Sequence, residues 1–133
     1  MTKHKARVYV SVPVDVLTRE QAQKLQAEVA GVLDPEKYEP IFNRAAFDAP
    51  EDEPLRLWWH LSEAMLRLGQ CDAAIFPPSW GDWPGWICPV EQDVAFRSGK
   101  DCLYTYRDST GKLTLLSMGH CGGPETQEEE NDD

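Results

Sequence analysis

The chain has 133 residues and a mass of 15.1 kDa, the size of one domain. Apolar residues make up 41% and charged ones 27%, which supports a real core and excludes wholesale disorder. The net charge is −10, a poor basis for gripping a phosphate backbone, because counterion release needs clustered Lys and Arg; a nucleic acid polymer is not an expected partner, while free nucleosides and nucleotides are compatible.

The basic start around Lys3, Lys5 and Arg7 leads directly into a strand-like run over residues 6–12, rich in Val and Tyr. It carries no signal-peptide pattern. No apolar run approaches the ~20 residues that span a bilayer, so no membrane partner is expected. Pro13 ends the strand, since proline donates nothing to a ladder. A helix opens at Thr18, where Thr18-Arg-Glu-Gln21 fits a capping box. Its apolar positions Ala22, Leu25, Val29, Val32 and Leu33 follow the spacing of one buried face, and Asp34-Pro35 stops it. Residues 38–42 predict a short second strand, followed by a charged loop over 43–53.

A second helix starts near Pro54, with Leu55, Trp58, Leu61, Met65 and Leu68 as its apolar stripe and Gly69 as its stop. Residues 71–76 form a compact apolar strand of the kind buried on both faces. Residues 77–89 then crowd together Trp80, Trp83, Trp86, Pro84 and Gly85. A third helix is expected over 89–98, with Pro89 in its first turn and Gly99 at its end. Residues 102–106 and 113–117 predict two more strands, paired antiparallel across the turn at 108–111. Beyond Gly122 the composition collapses to acids and Gln, with six acids in the last nine residues. That reads as a disordered acidic tail (122–133) on a single domain (1–121). The four cysteines, Cys71, Cys88, Cys102 and Cys121, show no Cys-x-x-Cys pair and read as free thiols of a cytoplasmic protein. Together with His120 they lack the paired spacing of a structural zinc site. No phosphate-cradling Gly loop occurs, so neither metal nor cofactor is expected.

The order β-α-β-α-β-α-β-β predicts an α/β fold with a mostly parallel sheet of four or five strands and helices on both faces. Ligands of such sheets bind at the carboxyl ends of the strands, which nominates the loops 11–17, 43–53 and 77–89. Glu91 is the candidate with the clearest chemistry. In the first turn of its helix, unpaired amides and the macrodipole would hold its carboxylate ionised, as a covalent nucleophile on a sugar carbon requires. Trp80 or Trp86 could stack on a heterocycle. The alternative is that Glu91 decorates a helix start and the tryptophans fill core or form a protein-contact patch. His60 reads as a partly exposed surface residue, and Asp72 as a backbone-orienting one.

These residues resemble a family. Leu57 through Phe76 (LWWHLSEAMLRLGQCDAAIF), then Pro77-Pro-Ser-Trp80, Gly85, Glu91-Gln-Asp-Val-Ala95 and Ser98-Gly-Lys-Asp101 look like the nucleoside 2-deoxyribosyltransferase-like superfamily, closest to its small bacterial and phage branch. Val8-Tyr-Val-Ser-Val-Pro13 is similar to that family's N-terminal motif. The resemblance covers about residues 7–105. It implies a Rossmann-like or flavodoxin-like fold and a covalent mechanism in which Glu91 attacks the anomeric carbon of a nucleoside or nucleotide and Tyr9 positions it. Ser11, Pro13, Trp80, Asp82, Gly85 and Trp86 would line the substrate site, and the protein would be a homodimer or higher homo-oligomer. Three positions depart from the pattern: Val12 replaces a Gly, Gly85 stands where an acid holds the sugar hydroxyls, and Ala64 falls where an acid protonates the base. They supply the second reading, a module that binds a nucleotide-type metabolite or a protein without turnover.

Overall fold

Alternation along the first strand, β1 (Ala6–Val10), sets the layers of the molecule. Successive side chains of a strand point to opposite faces. Val8 and Val10 turn one way, and pack with Val29 and Leu33; Tyr9 turns the other way, toward Ala64, Leu68 and Ala95. In this computed structural model, which describes residues 5–78 and 85–116, the chain continues through α1 (Arg19–Ala30), β2 (Tyr38–Ile41), α2 (Ala45–Asp48), α3 (Arg56–Gln70), β3 (Ala73–Phe76), α4 (Ile87–Arg97), β4 (Asp101–Arg107) and β5 (Leu113–Leu116).

The sheet has five strands in the order β2-β1-β3-β4-β5. All neighbours are parallel except β4 and β5. This is the expected mostly parallel α/β architecture, with the flavodoxin-like strand order. β3 repeats the alternation of β1: Ala73 and Ile75 join the α1 face, whereas Ala74 and Phe76 join the face covered by α3 and α4. All four residues of β3 are buried, as a central parallel strand with helices on both sides requires. A third apolar cluster forms from Val12, Val14, Ala22, Ala46, Phe47 and Ile87. It belongs to the segments that leave β1, β2 and β3 at their carboxyl ends.

Local signals explain most boundaries. Thr18 caps α1 through a complete capping box with Gln21, with bonds of 3.1 and 3.0 Å. Gly99 follows α4 with φ +76°, the left-handed conformation in which glycine carries no steric penalty. Other expectations need correction. α4 opens at Ile87, two residues ahead of Pro89. The first four N–H groups of a helix have no intrahelical partner, so a proline in third place forfeits no bond. Gly69 lies inside α3 instead of ending it, and the expected loop 43–53 contains the short helix α2.

The buried face of α3 also differs from the expected stripe. His60, Ala64 and Leu68 turn inward, while Leu55, Trp58 and Met65 are exposed. α3 carries two stripes at helical spacing, and the sheet takes the one that contains a small residue, Ala64, over Tyr9 and Ala74. Cys71 and Cys88 are free and buried, but Cys102 is disulfide-bonded, so the expectation of four free thiols fails. Among the described residues, no helix is long and apolar enough to cross a membrane. The acidic tail lies outside the described residues.

Candidate active site

Strand order reverses between β1 and β3: the chain leaves β1 for β2 on one side and β3 for β4 on the other. The crevice beyond the carboxyl ends of such strands is where this architecture holds ligands. Tyr9 lies near that end of β1, on the α3/α4 face, and Ser11 directly follows the strand, its N–H still donating to Ile75 O at 3.0 Å. α4, which follows β3, brings Glu91 to meet them.

Glu91 is completely buried and receives three side-chain hydrogen bonds from two other parts of the chain. Tyr9 Oη donates to Oε2 at 2.7 Å, Ser11 Oγ donates to Oε1 at 2.6 Å, and His60 Nε2 lies 2.7 Å from Oε2. Behind Tyr9 stands Asn43, at the exit of β2. Its Nδ2 donates to Tyr9 Oη and to the His60 carbonyl, both at 3.0 Å, and its Oδ1 accepts from Ala45 N–H at 3.0 Å. Gln26 Nε2 of α1 donates to the Asn43 carbonyl at 3.3 Å. Tyr9, Ser11, Asn43, His60 and Glu91 all have exposures of 0 or 1%.

The directions of these bonds follow from proton counts. Tyr9 accepts from Asn43, so its single proton goes to Glu91. Among the described residues, His60 Nδ1 is buried without a partner. A proton there would be an orphaned buried donor, so the imidazole carries its proton on Nε2 and gives it to the carboxylate. Every partner of Glu91 then donates, and an acceptor-only group is the ionised carboxylate. Among the described residues, no Lys or Arg is paired with it; the dipoles of neutral donors hold the charge. Among the described residues, Oε2 accepts two bonds and Oε1 one, which leaves an uncommitted lone pair on Oε1.

Burial, and next the charge of Glu91, hold the Tyr9 phenol well above its usual range. The same two causes push the Cys88 thiol up. Cys88 Sγ lies 3.3 Å from Ser11 Oγ. Both groups therefore keep their protons at neutral pH, which makes Tyr9 a donor and Cys88 an inert thiol. Glu91, the charged group of this cluster, is poised to act as nucleophile or base.

The structure thus brings together three of the residues singled out in the sequence, Tyr9, Ser11 and Glu91. The expected cause of Glu91's charge needs correction: it is the fifth residue of α4, beyond the free amides of the first turn, and side chains hold it. Pro13 is buried, and its carbonyl accepts from the N–H groups of Val16 and Leu17 in a turn. Gly85 has φ +78°, and a Cβ there would meet Asp15 Oδ2 at 2.3 Å. It serves a contact between two loops instead of an open cradle. Trp86 is 43% exposed, and its N–H donates to Asp15 Oδ2 at 2.7 Å. Trp80, Asp82 and Trp83 lie outside the described residues. Asp72 sits at the opposite end of the sheet and accepts from Arg7 N–H at 2.9 Å, the backbone role expected of it.

Sequence reasoning missed His60 and Asn43. The only available signals were the i, i+4, i+8 spacing of His60, Ala64 and Leu68, and the position of Asn43 at the opening of a nominated loop. Among the described residues, no group of His, Cys, Asp or Glu has the arrangement of a metal site. No family model matches the chain, and a search of curated proteins finds no match.

Proposed function

We propose that the chain is an N-glycosidic bond hydrolase or transferase acting on a nucleoside or nucleotide, with Glu91 as its covalent nucleophile. The observation that carries this reading is a carboxylate at the strand-order reversal, ionised, held by three oriented donors and left with one open lone pair on Oε1. In the proposed reaction Oε1 attacks the anomeric carbon, the C–N bond breaks, and its electron pair leaves with the base, which takes up a proton. The glycosyl ester is then opened by water or by a second base, so the anomeric configuration is retained. Tyr9 and His60 fix Oε2, which leaves Oε1 the reacting oxygen, and Ser11 orients it.

Full burial of Glu91 favours a second reading, a module on the same fold that binds a nucleotide-type metabolite without chemistry. Substrate reaches Oε1 only when the side chains covering it are displaced. Base release from deoxynucleosides and their monophosphates, followed by chromatography, separates the two readings. Release by the native chain, its loss in Glu91→Gln, and a glycosyl adduct on Glu91 in mass spectrometry are the expected results. A ligand that raises the melting temperature and is recovered intact would favour the second reading; release unchanged in Glu91→Gln would end the first. The proposal includes self-association as a homodimer or higher homo-oligomer through the exposed stripe of α3.

A further inference from the structure

The proposed reaction needs a proton as well as a nucleophile. A nitrogen base leaves a sugar readily when an acid protonates it as the C–N bond breaks. Around Glu91, the protons of Tyr9 and Ser11 already point into the carboxylate. Burial and the charge of Glu91 also make the Tyr9 phenol and the Cys88 thiol poor acids. Among the described residues of the cluster, that leaves the imidazole of His60.

His60 is 1% exposed, and among the described residues its Nδ1 has no hydrogen-bond partner. A buried polar nitrogen without a partner is costly, and a native structure keeps one where something else completes it. The residue is held from two sides. Nε2 donates to Glu91 Oε2 at 2.7 Å, and the His60 carbonyl accepts from Asn43, at the exit of β2, at 3.0 Å. His60 therefore stands at the same end of the sheet as Ser11, with Nδ1 across the ring from its bond to the carboxylate. Histidine is also the side chain whose charge changes most readily near neutral pH.

We infer that His60 is the acid–base residue of the reaction: its Nδ1 gives a proton to a ring nitrogen of the leaving base and takes one back from the water or second base that opens the ester. The inference rests on the N-glycosidase reading and adds the proton path to it. In the ligand-free chain a proton on Nδ1 would be an orphaned donor, so the imidazole is neutral there. A ring nitrogen of the bound base supplies an acceptor, and the imidazolium then pairs with ionised Glu91 through Nε2. As Oε1 bonds to the anomeric carbon, the C–N bond breaks and its electron pair moves onto the base. The Nδ1–H bond breaks in the same step; its pair stays on the ring and its proton joins the base. Opening the ester runs this path backwards. The oxygen of water attacks the anomeric carbon, its proton goes to Nδ1, and the C–Oε1 pair returns to the carboxylate. The ring ends each turnover with the proton count it began with.

The test uses a base that needs no proton. N7-methyl-2′-deoxyguanosine carries a positive charge on its base and releases neutral 7-methylguanine directly, whereas guanine must be protonated to leave 2′-deoxyguanosine. His60→Gln keeps an N–H for Glu91 Oε2 but has no basic nitrogen. Release of each base is measured over a single turnover, with protein in excess, so that only the first step is read. The ratio of the methylated to the unmethylated rate should rise about a hundredfold in His60→Gln, the usual weight of general acid catalysis. Because the second step also loses its base, the glycosyl ester on Glu91 should accumulate in this variant with the methylated compound, as seen by mass spectrometry. His60→Asn serves the same comparison if the first variant folds poorly. A loss that merely loosens Glu91 slows both compounds alike, so an unmoved ratio in a folded variant overturns the inference while leaving the N-glycosidase reading intact. Release of neither base by the native chain removes that reading and the inference with it.

Discussion

Tyr9 has one proton and two polar neighbours, and the order of its bonds decides what Glu91 receives. Asn43 donates to the phenol oxygen, and the phenol donates to Oε2. Tyr9→Phe removes both bonds, leaving Asn43 short of an acceptor and the buried carboxylate short of a donor. Unsatisfied buried groups cost about 1–3 kcal/mol, so urea denaturation of Tyr9→Phe should show a loss of that size. Glu91→Gln should lose less. Its carbonyl can keep Tyr9 and His60, while the Ser11 hydroxyl turns to accept from the new amide. Residues of one network couple, so the double variant should lose less than the sum of the two. A neutral Tyr9→Phe, or strict additivity, would show that these bonds are not holding the carboxylate. Tyr9, Ser11 and Glu91 were legible in the sequence because they sit at strand and helix positions that a resemblance marks. His60 was not: a lone histidine beside two tryptophans does not announce which side of a helix faces the core, and only packing against Tyr9 and Glu91 decides it.

Glycines placed at the ends of elements separate backbone conformation from packing. Gly85, just before α4, and Gly99, just after it, have nearly equal φ values of +78° and +76°. Alanine at either one meets the same left-handed strain, about 1 kcal/mol or more. At Gly99 a Cβ finds nothing within 4 Å among the described residues, whereas at Gly85 it strikes Asp15 Oδ2, Asp15 Cγ and Val16 Cγ1 within 2.8 Å. Gly85→Ala should therefore be the more destabilising of the two in denaturant, and the excess measures the Asp15 clamp on α4. Equal losses would mean that the loop after β1 yields freely and holds nothing. Element boundaries were legible where the signal was local chemistry, as at the Thr18–Gln21 capping box. They were not where one residue type fits several places. Pro89 suits any position of a first turn, which is why the sequence places the start of α4 two residues late and Glu91 in the wrong turn.

At the scale of the whole molecule, the alternation of β1 and β3 makes the layered architecture legible, but of the apolar stripe expected of α3 only Leu61 and Leu68 reach the core, and Leu55, Trp58 and Met65 lie outside it. Leu55, Trp58, Trp59, Met65 and Leu66 are between 38 and 63% exposed, on a segment roughly 17 Å long at 1.5 Å per residue. A stripe of this kind is self-complementary across a two-fold axis. Light scattering should find a dimer or larger in the native chain and a smaller species in Trp58→Glu; a native monomer would remove the proposed self-association. Stability should also fall on the alkaline side. Burial, then the charge of Glu91, raise Cys88 and Tyr9 above their ordinary values of 9.0 and 10.0. Folded-state values above unfolded ones mean that the contribution of both groups is whole below pH 9. As pH rises, the unfolded chain sheds these protons first, and each group then lowers stability by up to about 1.4 kcal/mol per pH unit. The decline should begin near pH 9 with Cys88 and Cys71, whose thiol burial also raises, and steepen above pH 10 with Tyr9. Cys88→Ala should flatten the first part, whatever it does to absolute stability. Glu91→Gln should flatten both parts, because it removes one of the two causes and leaves burial. Urea midpoints measured from pH 7 to 11 give these slopes directly. A slope that Glu91→Gln leaves unchanged would mean that the carboxylate does not carry its charge inside the fold, and the nucleophile proposed for this site would lose its basis.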